Sequence, residues 1–441
     1  MARLQPPKLT RNRGAVVLSL PIALLGLAGL ELPGSAASSA HHACDRYAAP
    51  HGSNGAPGTA KRPFHTPQRL VDSLHRGQTG CLRGGGYRFS LLTLDTRGIT
   101  IRPAGSEAVT LKGPIKVLPG ARGSTIEGLN LDGVGSKGGS LKIYASRTLL
   151  DGNRITNERT AICVLVTAFY ERPAPRHVAI ERNRIHGCGR LPATNHEHGI
   201  YLAQSRGAVV RGNRIYANAD RGIQLYPDAR GSRIVHNVID GNGQGIAISG
   251  AGGQASSGNL IRANVITNST LRYNVYSDFP RRVGKRNFVR FNCVYGGAAA
   301  RAGGAGGIMR PTRGFRLEGN LIADPGYANR SAGDFRLAAH SPCRSLGKRI
   351  ALRSVSRRSR RRLPLRLAGR IPAPVTGPVK RARLEVKRRG GWTVARRMTT
   401  RSSAFAMRVR PQIAKGRRGV AIRVAAPGRA PSKPIWVVRQ R

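Results

Sequence analysis

One stretch of the chain, residues 195–228, brings together side chains that can move protons and hold an anion. An imidazole titrates near neutral pH and can take a proton, a phenol can give one, and a guanidinium holds a carboxylate through paired hydrogen bonds. These residue types suit the removal and return of a proton beside a carboxylate. The candidate catalytic residues are His196, His198, Tyr201 and Arg221, and the candidate substrate-binding residues are Glu197, Asp220, Gln224, Tyr226 and Asp228.

Other interpretations of this stretch stay open. His196, Glu197 and His198 have a spacing that a metal ion can use, but two histidines and one carboxylate before a strand are a weak pattern. A calcium site made of several carboxylates is disfavoured in a chain with 20 acids against 75 Lys and Arg. We therefore expect no metal and no cofactor. The same side chains can also form a solvated rim or a binding surface without any catalytic role.

The stretch lies within a repeat that positions it. The tripeptide Asn-x-(Ile/Val) recurs with successive spacings of 30, 30, 24, 27, 28 and 28 residues. A period of this length indicates a solenoid. We expect each repeated asparagine to adopt the left-handed conformation at a corner and to hydrogen-bond its stacked neighbours. The repeated asparagines are Asn153, Asn183, Asn213, Asn237, Asn264, Asn292 and Asn320.

Alternating apolar residues around these asparagines predict short strands, and the region has no helical period. Stacked strands with Ile or Val on the inner side bury one continuous core. Aligning Gly199 with Gly222 then places successive turns side by side, and Ile162 and Ile200 become equivalent positions 38 residues apart instead of about 27. The insertion between them should border the site. The alignment pairs His198 with Arg221, Tyr201 with Gln224, and Glu197 with Asp220.

Residues 45–347 resemble the right-handed parallel β-helix proteins of the pectate lyase-like superfamily. The resemblance rests on the entry segment 49–64, on a capping helix that begins at Thr66, on the first strand in 80–87 and on the closing segment 324–343. It implies an all-β fold: a single-chain right-handed parallel β-helix with an N-terminal capping helix. It does not specify the reaction, because lyases, hydrolases, epimerases and non-catalytic adhesins share this fold.

The resemblance implies an exposed groove along one stacked sheet and an acidic polysaccharide as partner. In β-elimination from a uronic-acid polymer, Arg221 would neutralise the sugar carboxylate, His198 or His196 would take the C5 proton, and Tyr201 would protonate the leaving oxygen. A C5-epimerase would use the same set with protonation from the opposite face. Inverting hydrolysis would use a cluster of acids on neighbouring strands, and only Glu197, Asp220 and Asp228 come near, so a hydrolase ranks below a lyase or an epimerase. The alternative is a non-catalytic cell-surface protein that binds an anionic wall or matrix polymer.

The N-terminal 40 residues have the pattern of a secretory signal peptide. A positively charged start precedes the apolar run Ala15–Leu30, and small residues follow at 34–40. The run is about 16 residues long, which is short for a membrane span. We expect a protein that is secreted or on the extracellular surface, without a span after cleavage.

Six cysteines fit an oxidising compartment, and their order along the chain favours three disulfides between sequence neighbours. The expected pairs are Cys44–Cys81, Cys163–Cys188 and Cys293–Cys343.

The C-terminal part is the most basic region of a chain whose formal net charge is +55. Residues 348–441 contain 29 Lys and Arg and one acid, Glu385. We interpret 348–362 as a basic linker and 363–441 as a small β-sandwich, because short alternating pieces are separated there by Gly and Pro. Such charge favours polyanions, and export makes nucleic acid the least favoured of these. We expect 41–347 to be the β-helix and the protein to be a monomer.

Overall fold

The computed structural model describes residues 43–441. The positions excepted are 171, 302–306, 311–312, 345, 349–350, 356–357, 360–364, 371–378, 389–390, 401–403, 410–418, 433 and 440–441. The predicted signal peptide lies outside the described residues. Among the residues that are described, no helix is both long and apolar enough to cross a membrane.

The main body is a right-handed parallel β-helix of about nine turns, as predicted, whose strands stack into three long sheets. In the described part of the chain, the first sheet consists of Arg46–Ala48, Thr79–Leu82, Thr100–Pro103, Thr125–Glu127, Leu149–Asp151, Ala179–Glu181, Val209–Arg211, Arg233–Val235, Leu260–Arg262, Phe288–Arg290 and Arg316–Glu318. The second consists of Gly85–Arg88, Val109–Lys112, Asn130–Asp132, Arg154–Thr156, Arg184–His186, Arg214–Tyr216, Val238–Asp240, Val265–Thr267, Cys293–Tyr295 and Leu321–Ile322.

The third sheet is the one that carries the candidate site. It consists of Leu92–Leu94, Ile115–Val117, Gly139–Ile143, Ile162–Val166, Ile200–Arg206, Arg221–Arg230, Gln244–Ala251, Val275–Asp278 and Ile308–Met309. The short strand Gln254–Ala255 pairs with Gln244–Ala251 in antiparallel fashion. Its strands alternate between buried aliphatic residues and half-buried or polar ones, as in Ile115–Val117, where Lys116 points away from the core. The inner residues of all three sheets form one apolar core along the solenoid.

The repeated asparagines form a buried ladder along one corner of the solenoid. Each side-chain amide donates to the side-chain oxygen of the next asparagine, for example Asn213 to Asn237 at 2.9 Å and Asn237 to Asn264 at 2.9 Å. The predicted stacking is confirmed, but the predicted left-handed backbone at the asparagine is wrong. The residue before each asparagine has positive φ instead, and this turns the corner. These residues are Gly152, Arg182, Gly212, His236, Ala263, Phe291 and Gly319.

The three predicted disulfides are present as Cys44–Cys81, Cys163–Cys188 and Cys293–Cys343. A short helix, Pro67–Asp72, begins after Thr66, whose side chain accepts the backbone N–H of Arg69 at 3.2 Å. Its apolar residues Leu70 and Val71 are buried. The other helices are Pro119–Ala121, which is 3₁₀, and Ala298–Arg301.

The C-terminal part forms small, mainly antiparallel sheets. A hairpin of Tyr327–Asn329 and Asp334–Leu337 precedes them. One sheet consists of Ala351–Val355, Leu365–Arg370 and Ala404–Val409, and the other of Arg358–Ser359, Val379–Arg388, Gly391–Thr400, Gly419–Ala425 and Ile435–Arg439. Strands Ala351–Val355 and Arg358–Ser359 thus lie within the segment 348–362, for which the sequence predicts a linker.

Candidate functional site

The insertion before the strand Ile200–Arg206 borders the outer face of the third sheet, as the sequence indicates. Its register differs from the prediction by two residues, because Ile200 pairs with Val164 and not with Ile162. The error arose because Ile162 and Val164 are both buried apolar residues of one strand, and either fits the repeat. On the next turn the predicted register is confirmed: Tyr201 pairs with Gln224.

The side chains of the site occupy neighbouring rows on this outer face. One row runs across the strands through Leu165, Tyr201, Gln224, Ala247 and Tyr276. The other row contains Arg221 beside Gln244, with His198 on the preceding turn, where the N–H of Gly199 donates to the carbonyl of Arg221 at 2.9 Å. The two rows meet where the His198 and Tyr201 rings lie edge to face, 5.2 Å apart.

His198 is held as a neutral imidazole. Its side chain is almost completely buried, with 2% of the residue exposed, and Nδ1 has no hydrogen-bond partner among the described residues. Burial lowers the pKa of His198 well below its ordinary value of 6.5, and the nearby charges of Arg221 and His196 lower it further. A neutral imidazole at physiological pH can accept a proton.

Arg221 places a positive charge on the turn next to His198. Its Nη1 donates to the backbone oxygen of Asn195 at 3.0 Å and its Nη2 to the side-chain oxygen of the same residue at 2.7 Å. Nε is buried without a hydrogen-bond partner in the described part of the chain. Burial lowers the pKa of Arg221, although Asp220 opposes this effect. The guanidinium therefore ties the insertion to the sheet and presents a fork that fits two acceptor oxygens.

Tyr201 is the half-buried phenol at the centre of the site. Burial, together with Tyr226, raises its pKa to about 12, and Arg221 opposes this shift. The ring of Tyr226 is stacked with it, with centroids 6.4 Å apart and an interplanar angle of 26°. Tyr201 therefore keeps its proton at physiological pH and can donate it.

Glu197 and Asp220 are neighbours, as predicted, and both organise the insertion. The backbone N–H of Glu197 donates to Oδ2 of Asp220 at 3.1 Å. The carboxylate of Glu197 is occupied by Arg190, whose backbone N–H donates to Oε2 at 2.6 Å and whose Nη2 lies 2.7 Å from Oε1. His196, by contrast, is exposed. Among the described residues no three His, Cys, Asp or Glu side chains converge as a metal site requires.

Asp228 lies on the same long strand, Arg221–Arg230, but is engaged elsewhere. Its Oδ2 is 2.7 Å from Nη2 of Arg206 and its Oδ1 is 2.6 Å from Nε of Arg230. Only 5% of the residue is exposed. The buried carboxylate of Asp228 is therefore occupied by two partly exposed arginines, apart from the contacts of His198, Tyr201 and Arg221.

Sequence reasoning missed several residues of this face. Gln244 lies beside Arg221, is buried, and has neither amide atom hydrogen-bonded among the described residues. Tyr276 continues the row of Tyr201, and its ring is stacked with that of Tyr273 at 5.4 Å. The signal was available, because extending the same alignment by one turn from Arg221 reaches Gln244. Gln244 and Tyr276 lie outside the two turns where charged residues converge, so charge alone does not mark them.

The geometry brings together a neutral imidazole, a protonated phenol and a fixed cation within two turns. Unpartnered polar atoms of His198, Arg221, Gln224 and Gln244 add to it. Buried polar groups without partners are unfavourable in a folded protein, and they concentrate where a ligand completes the hydrogen bonds. The arrangement can therefore bind an anionic, hydroxyl-rich ligand and transfer protons at it.

Residues 117–292 match the family model described as "Right handed beta helix region". Similar solved structures include XylC in complex with xylose, at 13% identity over 63% of this chain and 68% of that chain, with a TM-score of 0.44. A pectate lyase is 12% identical over 67% and 90%, with a TM-score of 0.45. The A-module of a mannuronan C-5 epimerase of Azotobacter vinelandii is 15% identical over 58% and 87%, with a TM-score of 0.30. No curated protein matches the sequence.

Proposed function

The chain is a right-handed parallel β-helix protein, and from this premise we propose that it is an exported enzyme acting on an acidic polysaccharide, as a lyase or a C5-epimerase. The observation that carries the proposal is the placement of His198, Tyr201 and Arg221 on adjacent turns of one sheet face. Their protonation states fit the chemistry: the imidazole and the phenol are neutral while the guanidinium is charged. A solvated rim would not need such burial.

The reaction begins with the sugar carboxylate at Arg221. A carboxylate offers the guanidinium two oxygens, as Asn195 does in this structure, and adds a negative charge that strengthens both hydrogen bonds. His198 and Arg221 are each more than nine-tenths buried. The insertion 190–197 therefore moves outwards when the polymer binds, and the carboxylate replaces Asn195.

Proton transfer then follows at C5 of the uronate. His198 takes the C5 proton and becomes imidazolium, while Arg221 stabilises the negative charge that develops on the carboxylate. In elimination, the C4–O bond breaks, the electron pair of the former C5–H bond forms the C4=C5 double bond, and Tyr201 gives its proton to the leaving oxygen. In epimerisation, Tyr201 returns a proton to C5 from the opposite face and the C4–O bond stays intact.

The test uses the exported chain, residues 41–441, with pectate, alginate and hyaluronan as substrates. Ultraviolet absorbance detects the unsaturated product of elimination, and incorporation of solvent deuterium at C5 detects epimerisation. We expect His198→Ala to reduce either signal at least about 100-fold, the usual contribution of a general base. His75→Ala, at an exposed position near the short helix, is the matched control.

His196→Ala separates the two histidines of the insertion. Because His196 is exposed whereas His198 contacts Tyr201, we expect its replacement to leave most of the activity. Activity that survives His198→Ala would overturn the assignment of the base. If no uronate gave an unsaturated product or incorporated deuterium, the proposal that the protein is an enzyme would be wrong.

The second candidate function is a non-catalytic protein that binds an anionic wall or matrix polymer. The formal net charge of +55 favours it, because a field of this sign attracts polyanions whatever the reaction. The three disulfides support an extracellular location under both proposals. Binding that is sensitive to salt, without product or deuterium incorporation, would favour this function over the enzyme.

A further inference from the structure

The row of outward-facing residues that contains Tyr201 continues towards the N-terminal turns of the third sheet. Leu165 pairs with Tyr201, Lys142 pairs with Leu165, and Lys116 pairs with Lys142. Neighbouring strands are about 4.8 Å apart, so Lys142 lies about 10 Å and Lys116 about 14 Å from the row position of Tyr201. The face therefore presents two adjacent cations at a fixed distance from the candidate site.

This pair of lysines is unfavourable for the fold itself. Like charges on directly neighbouring strand positions repel each other. Neither ammonium group has an ion pair or a hydrogen bond among the described residues, and both side chains are half-buried on the sheet. By contrast, Lys112 on the second sheet lies opposite an acidic residue, Asp132, in the register of the neighbouring strand. A bound anion would relieve the repulsion between Lys116 and Lys142.

An aromatic cluster borders the two lysines. Tyr144 follows Lys142 by two residues, and its ring lies edge to face with that of Phe169 at 4.9 Å. Phe169 in turn contacts Tyr170 at 4.6 Å. Tyr170 is 87% exposed, which is unusual for so large an apolar ring. Exposed aromatic rings next to cations suit a ligand that has both apolar faces and negative charges, as the rings of acidic sugars do.

We propose that Lys116 and Lys142, bordered by Tyr144, Phe169 and Tyr170, bind two successive acidic sugars of the polymer. The inference rests on the proposed function, in which the reacting sugar lies at Tyr201. The polymer then runs across the strands, parallel to the solenoid axis, with the sugar on Leu165 between the reacting unit and the lysines.

The spacing of the lysines specifies the class of polymer. One sugar of an extended chain advances by about the same distance as one turn of the solenoid, so adjacent lysines face adjacent sugars. Both cations are used when every sugar carries a carboxylate. In a glycan where acidic and neutral sugars alternate, only one of the two lysines meets a carboxylate. The structure thus favours uninterrupted uronate over alternating glycans such as hyaluronan.

The test measures binding in the His198→Ala background of the full exported chain, which prevents turnover. The variants are Lys116→Gln, Lys142→Gln and the double substitution, with Lys112→Gln on the second sheet as the matched control. The probes are uronate oligomers of two and of six units, from both pectate and alginate, and a hyaluronan oligomer of six units. We expect the double variant to bind the uronate hexamer about tenfold more weakly, as the loss of two exposed ion pairs predicts.

The dimer can lie at Tyr201 and Leu165 without reaching Lys142, so the double variant should weaken its binding distinctly less than that of the hexamer. The hyaluronan hexamer should lose distinctly less than the uronate hexamer. The inference would be overturned if the double variant and Lys112→Gln bound every uronate hexamer with equal affinity. It would also be overturned if the double variant lost as much affinity for the hyaluronan hexamer as for the uronate hexamers, or if no hexamer bound. If the wild type shows elimination or deuterium incorporation but the lysine substitutions do not change hexamer binding, the lysine subsites are wrong and the proposed enzyme stands. If hexamer binding depends on the lysines but the wild type shows neither reaction, the lysine subsites stand and the proposed enzymatic activity is wrong.

Discussion

Burial sets the protonation states of the two residues to which the proposed reaction assigns proton transfer. His198 is enclosed between the insertion and the sheet, so the charged imidazolium is disfavoured and the base is ready at physiological pH. The same effect keeps the proton on Tyr201, whose pKa is raised to about 12. Burial therefore holds both groups in the protonation states that the proposed reaction requires, and the cation of Arg221 favours the same state of His198.

The pH dependence of kcat/KM tests these environments. His198 must be neutral to act, so activity is present above its lowered pKa and is lost as the pH falls through that value, well below 6.5. Tyr201 must be protonated, so activity is lost as the pH rises through about 12. We expect a broad plateau between these limits, measured as the initial rate of product formation at low substrate concentration.

His196→Ala is the control for this profile: it should leave the alkaline limit unchanged and move the acidic limit towards 6.5, because the charge of His196 contributes to the lowered pKa of His198. Loss of activity in His196→Ala would instead assign the base to the exposed histidine.

Residue types in the site were predictable from the sequence, but their partners were not. A Glu, an Asp and an Arg within a short polar stretch signal a site whichever way their side chains point. The sequence does not show that Arg190 forms an ion pair with Glu197, or that Arg206 and Arg230 form ion pairs with Asp228. These ion pairs join residues through a loop, across neighbouring strands or two positions apart on one strand. They depend on side-chain direction, which periodicity leaves undetermined.

The asparagine ladder is the element that sets the register of the turns. Each side chain satisfies backbone groups as well as its neighbours: the side-chain oxygen of Asn213 accepts the backbone N–H of Asn183 at 2.9 Å, and its amide donates to the carbonyl of Ile180 at 2.7 Å. These groups are buried, so a water molecule could satisfy them in place of the asparagine only if a cavity were present to hold it. The ladder therefore stabilises the site from the opposite side of the core.

Asn213→Ala should destabilise the protein by about 3 kcal/mol, because it leaves the N–H of Asn183 and the carbonyl of Ile180 buried without these partners. The measurement is the midpoint of urea unfolding followed by circular dichroism. Asn130→Ala is the matched control, since Asn130 lies half-buried on the outside of the second sheet and its side chain makes no hydrogen bond among the described residues. Its replacement should change stability by less than about 0.5 kcal/mol. Equal effects of the two substitutions would contradict a ladder role.

The elements themselves were largely predictable, since a repeated residue type at a nearly constant period carries its own register. Two details were not. The left-handed conformation lies at residues as different as Gly152, Arg182 and Phe291, so no shared residue type marks the position. The pairing of Ile200 with Val164 was not predictable either, because the insertion interrupts the period there. Two apolar residues, Ile162 and Val164, then fit the repeat equally well.

At the scale of the whole molecule, the C-terminal segment also covers the last turn of the solenoid. The N–H of Gly428 donates to the carbonyl of Gly319 at 2.7 Å, and the N–H of Gly347 donates to the carbonyl of Gly428 at 2.9 Å. Terminal repeats of a solenoid need a cap, because their inner faces would otherwise be exposed. Deleting 348–441 would remove this cover together with the charge, so a deletion cannot separate anchoring from stability.

Charge substitution separates the two roles. Arg388 and Arg397 are exposed on the C-terminal strands Val379–Arg388 and Gly391–Thr400. If these sheets anchor the protein on an anionic polymer, replacing both arginines with Gln should weaken binding of long polymer at low salt. The difference should disappear near 1 M salt, where the screening length falls to about 3 Å. Turnover of a short oligomer should stay unchanged, because the substituted side chains lie outside the third sheet.

The matched control replaces Arg97 and Arg122, which are exposed in the N-terminal turns of the solenoid, and removes the same charge. If the C-terminal sheets form a specific anchor, the control pair should weaken polymer binding distinctly less, as measured by co-sedimentation over a series of salt concentrations. Equal weakening by both pairs would mean that the polymer senses the net charge of +55 as a whole. In that case the C-terminal sheets serve to cover the last turn, and we expect binding specificity to come from the candidate site on the third sheet.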